Sequence, residues 1–214
     1  MNEKKICVAT QPKVPPQVCW TACVLLLALL LAGCGTTSGF KAASGQNAVD
    51  LSPFSRVVVK DFTDAVSEKR KGPDREKKAA EMKRVTKDFA DMLAWEIGQK
   101  AAFAQVVRTG AEDEKTLIIG GQITRYEEGS PTARFLVGMG AGSSYFDARI
   151  EFLRGGTGEL LGTLEANRNS WVLGGGIAAT QTPDSFMREA ARKVAEEVHR
   201  LKAGQGSTSV ADRR

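Results

Sequence analysis

Few groups in this chain could do chemistry. Its 214 residues contain one histidine, His199, and four cysteines, Cys7, Cys19, Cys23 and Cys34. A zinc or other thiolate–imidazole site needs three or four such ligands brought together, and the spacing here offers none. Ser-His-Asp catalysis would need His199 beside a serine held on a strained elbow, and no such motif is present. Carboxylates are what remains. Asp147 and Glu151 alternate onto one face of a predicted strand, but four residues at ~3.3 Å each separate them by ~13 Å. Glycosidase pairs stand ~5–9.5 Å apart. Arg149 falls between them on the same face, so the trio reads as a charge ladder facing water. The expectation is a non-enzyme with no cofactor and no metal.

The cysteines point elsewhere. Val24–Ala32 is an unbroken apolar run of about nine residues, where a helix needs ~20 to cross a bilayer. Lys4, Lys5 and Lys13 precede the run and small residues follow it, which is the order of a secretory signal. The region ahead of the run is unusually long and holds Cys7 and Pro15–Pro16, which fits a start assigned too early at Met1. Removal of residues 1–33 would leave Cys34 as the one thiol, so the exported domain would contain no internal disulfide.

The end of the run, Leu31-Ala32-Gly33-Cys34, resembles the bacterial lipobox. The resemblance implies that the Cys34 sulfur is diacylated, that a dedicated peptidase cuts before it, and that the new amino terminus is then acylated, for example with palmitate. At ~0.8 kcal/mol per buried methylene, two or three chains would hold the protein on a membrane almost permanently. Residue 35 is Gly rather than the Asp that resembles an inner-membrane retention signal. The outer membrane, at its periplasmic face, is the expected location.

Net charge excludes little but does exclude something. Of the formal +5, Lys4, Lys5, Lys13 and Glu3 contribute a net +2, which leaves +3 beyond residue 33. So mild a balance, with acids interleaved, predicts no nucleic-acid binding. The basic run from Lys69 to Lys87 includes Asp74, Glu76 and Glu81. It reads first as a solvated helix face and only secondarily as a contact for acidic lipid headgroups.

Two glycine-rich segments stand out. One contains Gly138, Met139, Gly140 and Gly142; the other contains Trp171, Gly174, Gly175 and Gly176. The first has the spacing Gly-x-Gly-x-Gly and leads into a strand, whereas a dinucleotide loop needs Gly-x-Gly-x-x-Gly opening a helix. The bland interpretation is that these glycines permit bends beside a hairpin. The sharper one is that apolar, side-chain-poor segments contact a partner subunit or the membrane.

These features need a scaffold. Residues 34–52 are small and polar and are expected to form a flexible tether; 53–203 form one domain and 204–214 an unstructured tail. The strand candidates are Arg56–Phe62, Gln105–Arg108, Thr116–Arg125, Ser144–Leu153 and Leu160–Trp171, the last two joined by a turn at Gly155–Gly158. One helix is expected from Pro73 to Ala102, with the stripe Val85, Phe89, Met92, Leu93 and Ile97. A second starts at the Thr182-Pro183 cap and buries Phe186, Ala190, Val194, Val198 and Leu201. The predicted fold is α/β (α+β), a two-layer sandwich with a mainly antiparallel sheet and two helices packed on one face.

The run Arg134–Ala148, with Thr157-Gly158 and Asn169–Gly176, resembles a family of Gram-negative lipoproteins known as a domain of unknown function. The resemblance spans roughly Val57 to Leu201 and implies no catalytic residue. More distantly, the element order is similar to the TolB amino-terminal domain and to the periplasmic domain of the curli-secretion channel lipoprotein. The expected role is therefore a non-catalytic binding or assembly module of the cell envelope. Its partners would be the membrane, through Cys34, and envelope proteins or a second copy. The alternative is an oligomeric subunit of a secretion pore that uses the glycine-rich segments as subunit or membrane contacts.

Overall fold

The computed structural model describes residues 35–37, 39–43, 49–129, 144–169 and 182–204. The chain divides into residues 1–33 and 34–214, and the fold is that of the second unit. In chain order it runs β1 (Gly35–Thr37), β2 (Lys41–Ala42), β3 (Arg56–Val59), β4 (Thr63–Asp64), a 3-10 turn (Ser67–Lys69), α1 (Pro73–Gln99), β5 (Gln105–Val107), β6 (Thr116–Glu127), β7 (Tyr145–Arg154), β8 (Leu160–Asn169) and α2 (Pro183–Lys202). The architecture is the expected two-layer α+β sandwich.

One sheet carries the order β1-β8-β7-β6-β3-β5, with β2 also on β8 and β4 also on β6. The long β6–β7–β8 meander and its β1–β2 edge are antiparallel, whereas β3 and β4 run parallel to β6 and β5 runs parallel to β3. The parallel part follows from the connection: β3 reaches β5 through the long helix α1, and a parallel pair needs such a crossover. Val57, Val58 and Val59 are all fully buried, as the unbroken β-branched run predicts for a strand covered on both faces.

The helices form where their stripes lie. α1 begins with Pro73 in its first turn, where a missing N–H costs nothing, and buries Met82, Val85, Phe89, Leu93 and Ile97. α2 opens with a capping box: the Ser185 amide donates to Thr182 Oγ1 at 3.3 Å and the Thr182 amide donates to Ser185 Oγ at 3.2 Å. Phe186, Met187, Ala190, Ala191, Val194, Ala195, Val198 and Leu201 are buried along it. Both helices join one core with the inward residues of β3, β6, β7 and β8; Phe89 sits 4.8 Å, ring to ring, from both Phe62 and Phe146.

The residues just after Cys34 depart from expectation. The stretch read as a tether is partly built into the sheet: β1 and β2 hydrogen-bond to β8. Their registers, Gly35↔Arg168 and Ala42↔Gly162, differ by a one-residue slip, so β1 and β2 pair with the same edge of β8 with that slip between them. Phe40 turns inward at the slip, is 5% exposed and stacks 4.9 Å from Phe152. Val49, Leu51 and Phe54 are buried as well. Low apolar content suggested a loose segment, but one aromatic in a matching slot and an edge to pair with are enough to fix it.

A similar device acts inside the sheet. The β6–β7 register shifts between Ile123 and Arg125, leaving Thr124 as a bulge residue. Strict alternation from Leu117, Ile119 and Ile123 would aim Arg125 at the core. The bulge instead aims Tyr126 there, 1% exposed, and sends Arg125 to the open face, where its guanidinium lies 3.4 Å from the Tyr145 ring centroid.

Candidate functional site

Register collects the candidate features at one end of the sheet. Tyr126 pairs with Phe146, Phe146 with Arg168 and Arg168 with Gly35, making one row across β6, β7, β8 and β1. With strands ~4.8 Å apart, the row is ~14 Å long. Its last member is the residue after Cys34. Just beyond the row, β6 ends at Glu127, β7 begins at Tyr145 and β8 ends at Asn169.

Cys34, Gly138, Met139, Gly140, Gly142, Trp171, Gly174, Gly175 and Gly176 all lie outside the described residues. What is described is where the chain leaves and returns. The segment 130–143 departs after Gly129 and returns at Ser144, a fully buried residue whose Oγ donates to the Glu128 carbonyl at 2.6 Å. That bond closes the neck of the segment. The segment 170–181 departs after Asn169 and returns at the Thr182 cap. The described residues Gly35, Gly129, Ser144 and Asn169, from which the chain runs into those segments, therefore lie at the same end of the sheet.

The described walls of this end are charged. A 450 Å³ cleft is lined by Lys77, Lys78, Glu81, Glu127, Glu128 and Gly129. The Lys78 ammonium lies 4.9 Å from the Tyr126 ring centroid and 3.0 Å from Glu81, and Arg70 pairs with Glu127 at 2.9 Å. Burial, reinforced by the negative fields of Asp184, Glu128 and Glu81, pushes the Tyr126 hydroxyl up to about 12.

The carboxylates do not converge. Asp147, Arg149 and Glu151 alternate along the open face of β7, and Arg149 pairs with Glu151 at 3.6 Å with roughly half of each side chain exposed. Glu165 stands opposite Arg149 on β8. This alternation of sign along and across strands is a cross-strand ion ladder, as the spacing suggested. His199 is exposed in the last turn of α2. Among the described residues no cluster of His, Cys, Asp or Glu is arranged to hold a metal, and no helix is long and apolar enough to cross a membrane.

Two features escaped the sequence reading. Arg108 donates from Nε to the Val59 carbonyl at 2.8 Å and pairs with both Asp61 and Asp91, which binds α1 to the parallel half of the sheet. Burial opposes ionisation of Asp91, but the Lys87 hydrogen bond and the Arg108 charge outweigh it and hold its carboxyl below the usual range. Nothing in the local pattern around Arg108 marks this. Trp95 is 61% exposed and lines a cleft with Met92 and Arg188 between the helices. Its position off the stripe Val85–Phe89–Leu93–Ile97 was the available signal.

The fold is that of an α+β sandwich domain with one open mixed sheet. Residues 57–174 match the family described as Domain of unknown function (DUF4410), and the chain belongs to that family. The match bears out the resemblance to a domain of unknown function over residues 57–174. No curated protein matches the chain. Among solved structures it is similar to two crystal forms of the PelC dodecamer from Paraburkholderia phytofirmans, at 11% and 13% identity. Both have a TM-score of 0.49 and cover 78% of this chain and 98% of that chain.

Proposed function

We propose that the protein is a lipoprotein of the outer membrane, facing the periplasm, that acts by binding and assembly in the cell envelope rather than by catalysis. In this reading residues 1–33 are a signal segment, Cys34 carries the lipid, and the glycine-rich segments meet an envelope protein, a second copy or the bilayer.

The observation that supports it most is the row Tyr126–Phe146–Arg168–Gly35. It sets the residue after the lipobox cysteine beside the exits of both apolar glycine-rich segments. The described residues that flank the three features singled out in the sequence thus share one end of one sheet. The cross-strand charge ladder supports the non-catalytic part, because Asp147 and Glu151 are spaced along β7 with Arg149 between them rather than facing each other.

Intact-mass measurement of the protein extracted from cells tests the anchor. The reading expects a chain beginning at Cys34 and carrying acyl mass, with Cys34→Ser shifting the protein out of the membrane fraction. An unmodified Cys34 in a membrane-free protein would overturn it. Crosslinking in intact cells, with Gly140→Asp and Gly175→Asp for comparison, tests the contact role. Unchanged crosslinks in both variants would remove the glycine-rich segments from the proposal, and a ladder of self-crosslinked species would make a second copy the partner.

A further inference from the structure

α1 outruns the body it packs on. Met82 is its first fully buried residue, while 73–77 and 79–80 are exposed and Lys78 and Glu81 half-buried. At 1.5 Å per residue, about 13 Å of helix precedes Met82. Lys78 over Tyr126, and Arg70 on Glu127, fix that projection at the end of the sheet where Gly35 lies.

The projecting part is basic on a particular side. Continuing the core stripe backward from Met82 and Val85 by one turn and then two gives Lys78 and Arg75, so the face that is apolar over the sheet becomes cationic beyond it. Residues 69–78 hold Lys69, Arg70, Lys71, Arg75, Lys77 and Lys78 against Asp74 and Glu76. Arg70 and Lys78 are engaged by Glu127 and Glu81, and Lys69 by the Thr124 carbonyl. Lys71, Arg75 and Lys77 make no ion pair among the described residues.

We propose that this basic projection is a second membrane contact, taking the phosphates of an anionic phospholipid surface. The inference rests on the anchored reading above, since a lipid on Cys34 would bring the bilayer to this end of the sheet. The fit is one of charge: Lys71 just ahead of α1, with Arg75 and Lys77 on its first turns, stands at the end of the sheet where Gly35 lies and would be drawn to an anionic leaflet. These three, with no ion pair among the described residues, are the cations the proposal assigns to the phosphates.

The test uses the chain from residue 34 onward with Cys34→Ser, so that neither acylation nor the apolar run 24–32 dominates, in flotation with phosphatidylcholine vesicles with and without phosphatidylglycerol. The parent should bind the anionic vesicles at least about tenfold more tightly at 0.1 M salt than at 0.5 M. The triple variant Lys71→Glu, Arg75→Glu, Lys77→Glu should lose that increment. A control triple, Lys83→Glu, Lys115→Glu, Arg188→Glu, changes net charge equally and should keep most of it. Equal binding by parent and first triple, or equal loss in both triples, overturns the proposal. Failure of the anchored reading shows elsewhere, as absence of acyl mass on wild-type Cys34, whatever the vesicles do.

Discussion

Phe40 occupies the space that Gly162 leaves by having no side chain. A Cβ at residue 162 would fall inside contact distance of both the Phe40 ring and the Lys41 carbonyl. The pairing of an aromatic near the start of the domain with a glycine on β8 is what turns the leading segment into sheet.

Gly162→Val should therefore expel Phe40 and release β1 and β2. Overpacking of this kind costs ~1–3 kcal/mol. Urea denaturation should report that loss, while hydrogen exchange should accelerate at Lys41 and Ala43 with α2 still protected. Protection unchanged at those two amides would show that the slot does not hold the edge strand.

Removing the helix cap gives a smaller, cleaner effect. Thr182→Ala deletes the acceptor for the Ser185 amide and should cost ~1 kcal/mol. Thermal denaturation should show a lowered midpoint, and Thr182→Ser should restore most of it. Equal midpoints for Ala and Ser would argue that the box contributes nothing in this setting.

Arg108→Met should loosen α1 from β3 by ~2 kcal/mol, the scale of charge-assisted hydrogen bonds lost to a buried carbonyl and two carboxylates. The partner effect depends on pH. Because the folded state lowers the Asp91 pKa, its contribution is present above the unfolded value of ~3.9 and is lost as pH falls through the folded one. Asp91→Asn should flatten the acid limb of stability below about pH 4. A slope equal to wild type would place acid sensitivity in other carboxylates.

Tyr126 should titrate late. Ultraviolet titration should show a phenol step near 12 that disappears in Tyr126→Phe. The raised pKa means its contribution is intact below the unfolded value of ~10 and is lost as pH rises toward 12. A titration unchanged by the substitution would mean that the ring is more hydrated than its 1% exposure implies.

Much of the scaffold was legible because its signals are local. The Val85–Ile97 stripe, the Thr182-Pro183 cap and the Phe146–Phe152 alternation each encode an element within a dozen or so residues. What stayed hidden depends on distant partners. Gly35–Thr37 becomes a strand because β8, some 130 residues later, offers an edge. Thr124 is a bulge because β7 demands Tyr126 rather than Arg125 in the core. The same holds at the candidate site: the glycine-rich segments and Cys34 could be named one by one, but that the residues flanking them share an end of the sheet comes only from strand register.

The β1 edge also has a mechanical meaning. A pull on Cys34 reaches Gly35 within one residue, and β1 runs along β8, so load enters nearly parallel to the strands. The hydrogen bonds of the edge would be sheared together rather than opened one after another. Phe40, set beyond the first three paired residues, would act as a latch behind them. Were Cys34 the proposed anchor, a tug would pass straight into the sheet, where a slack linker would absorb it.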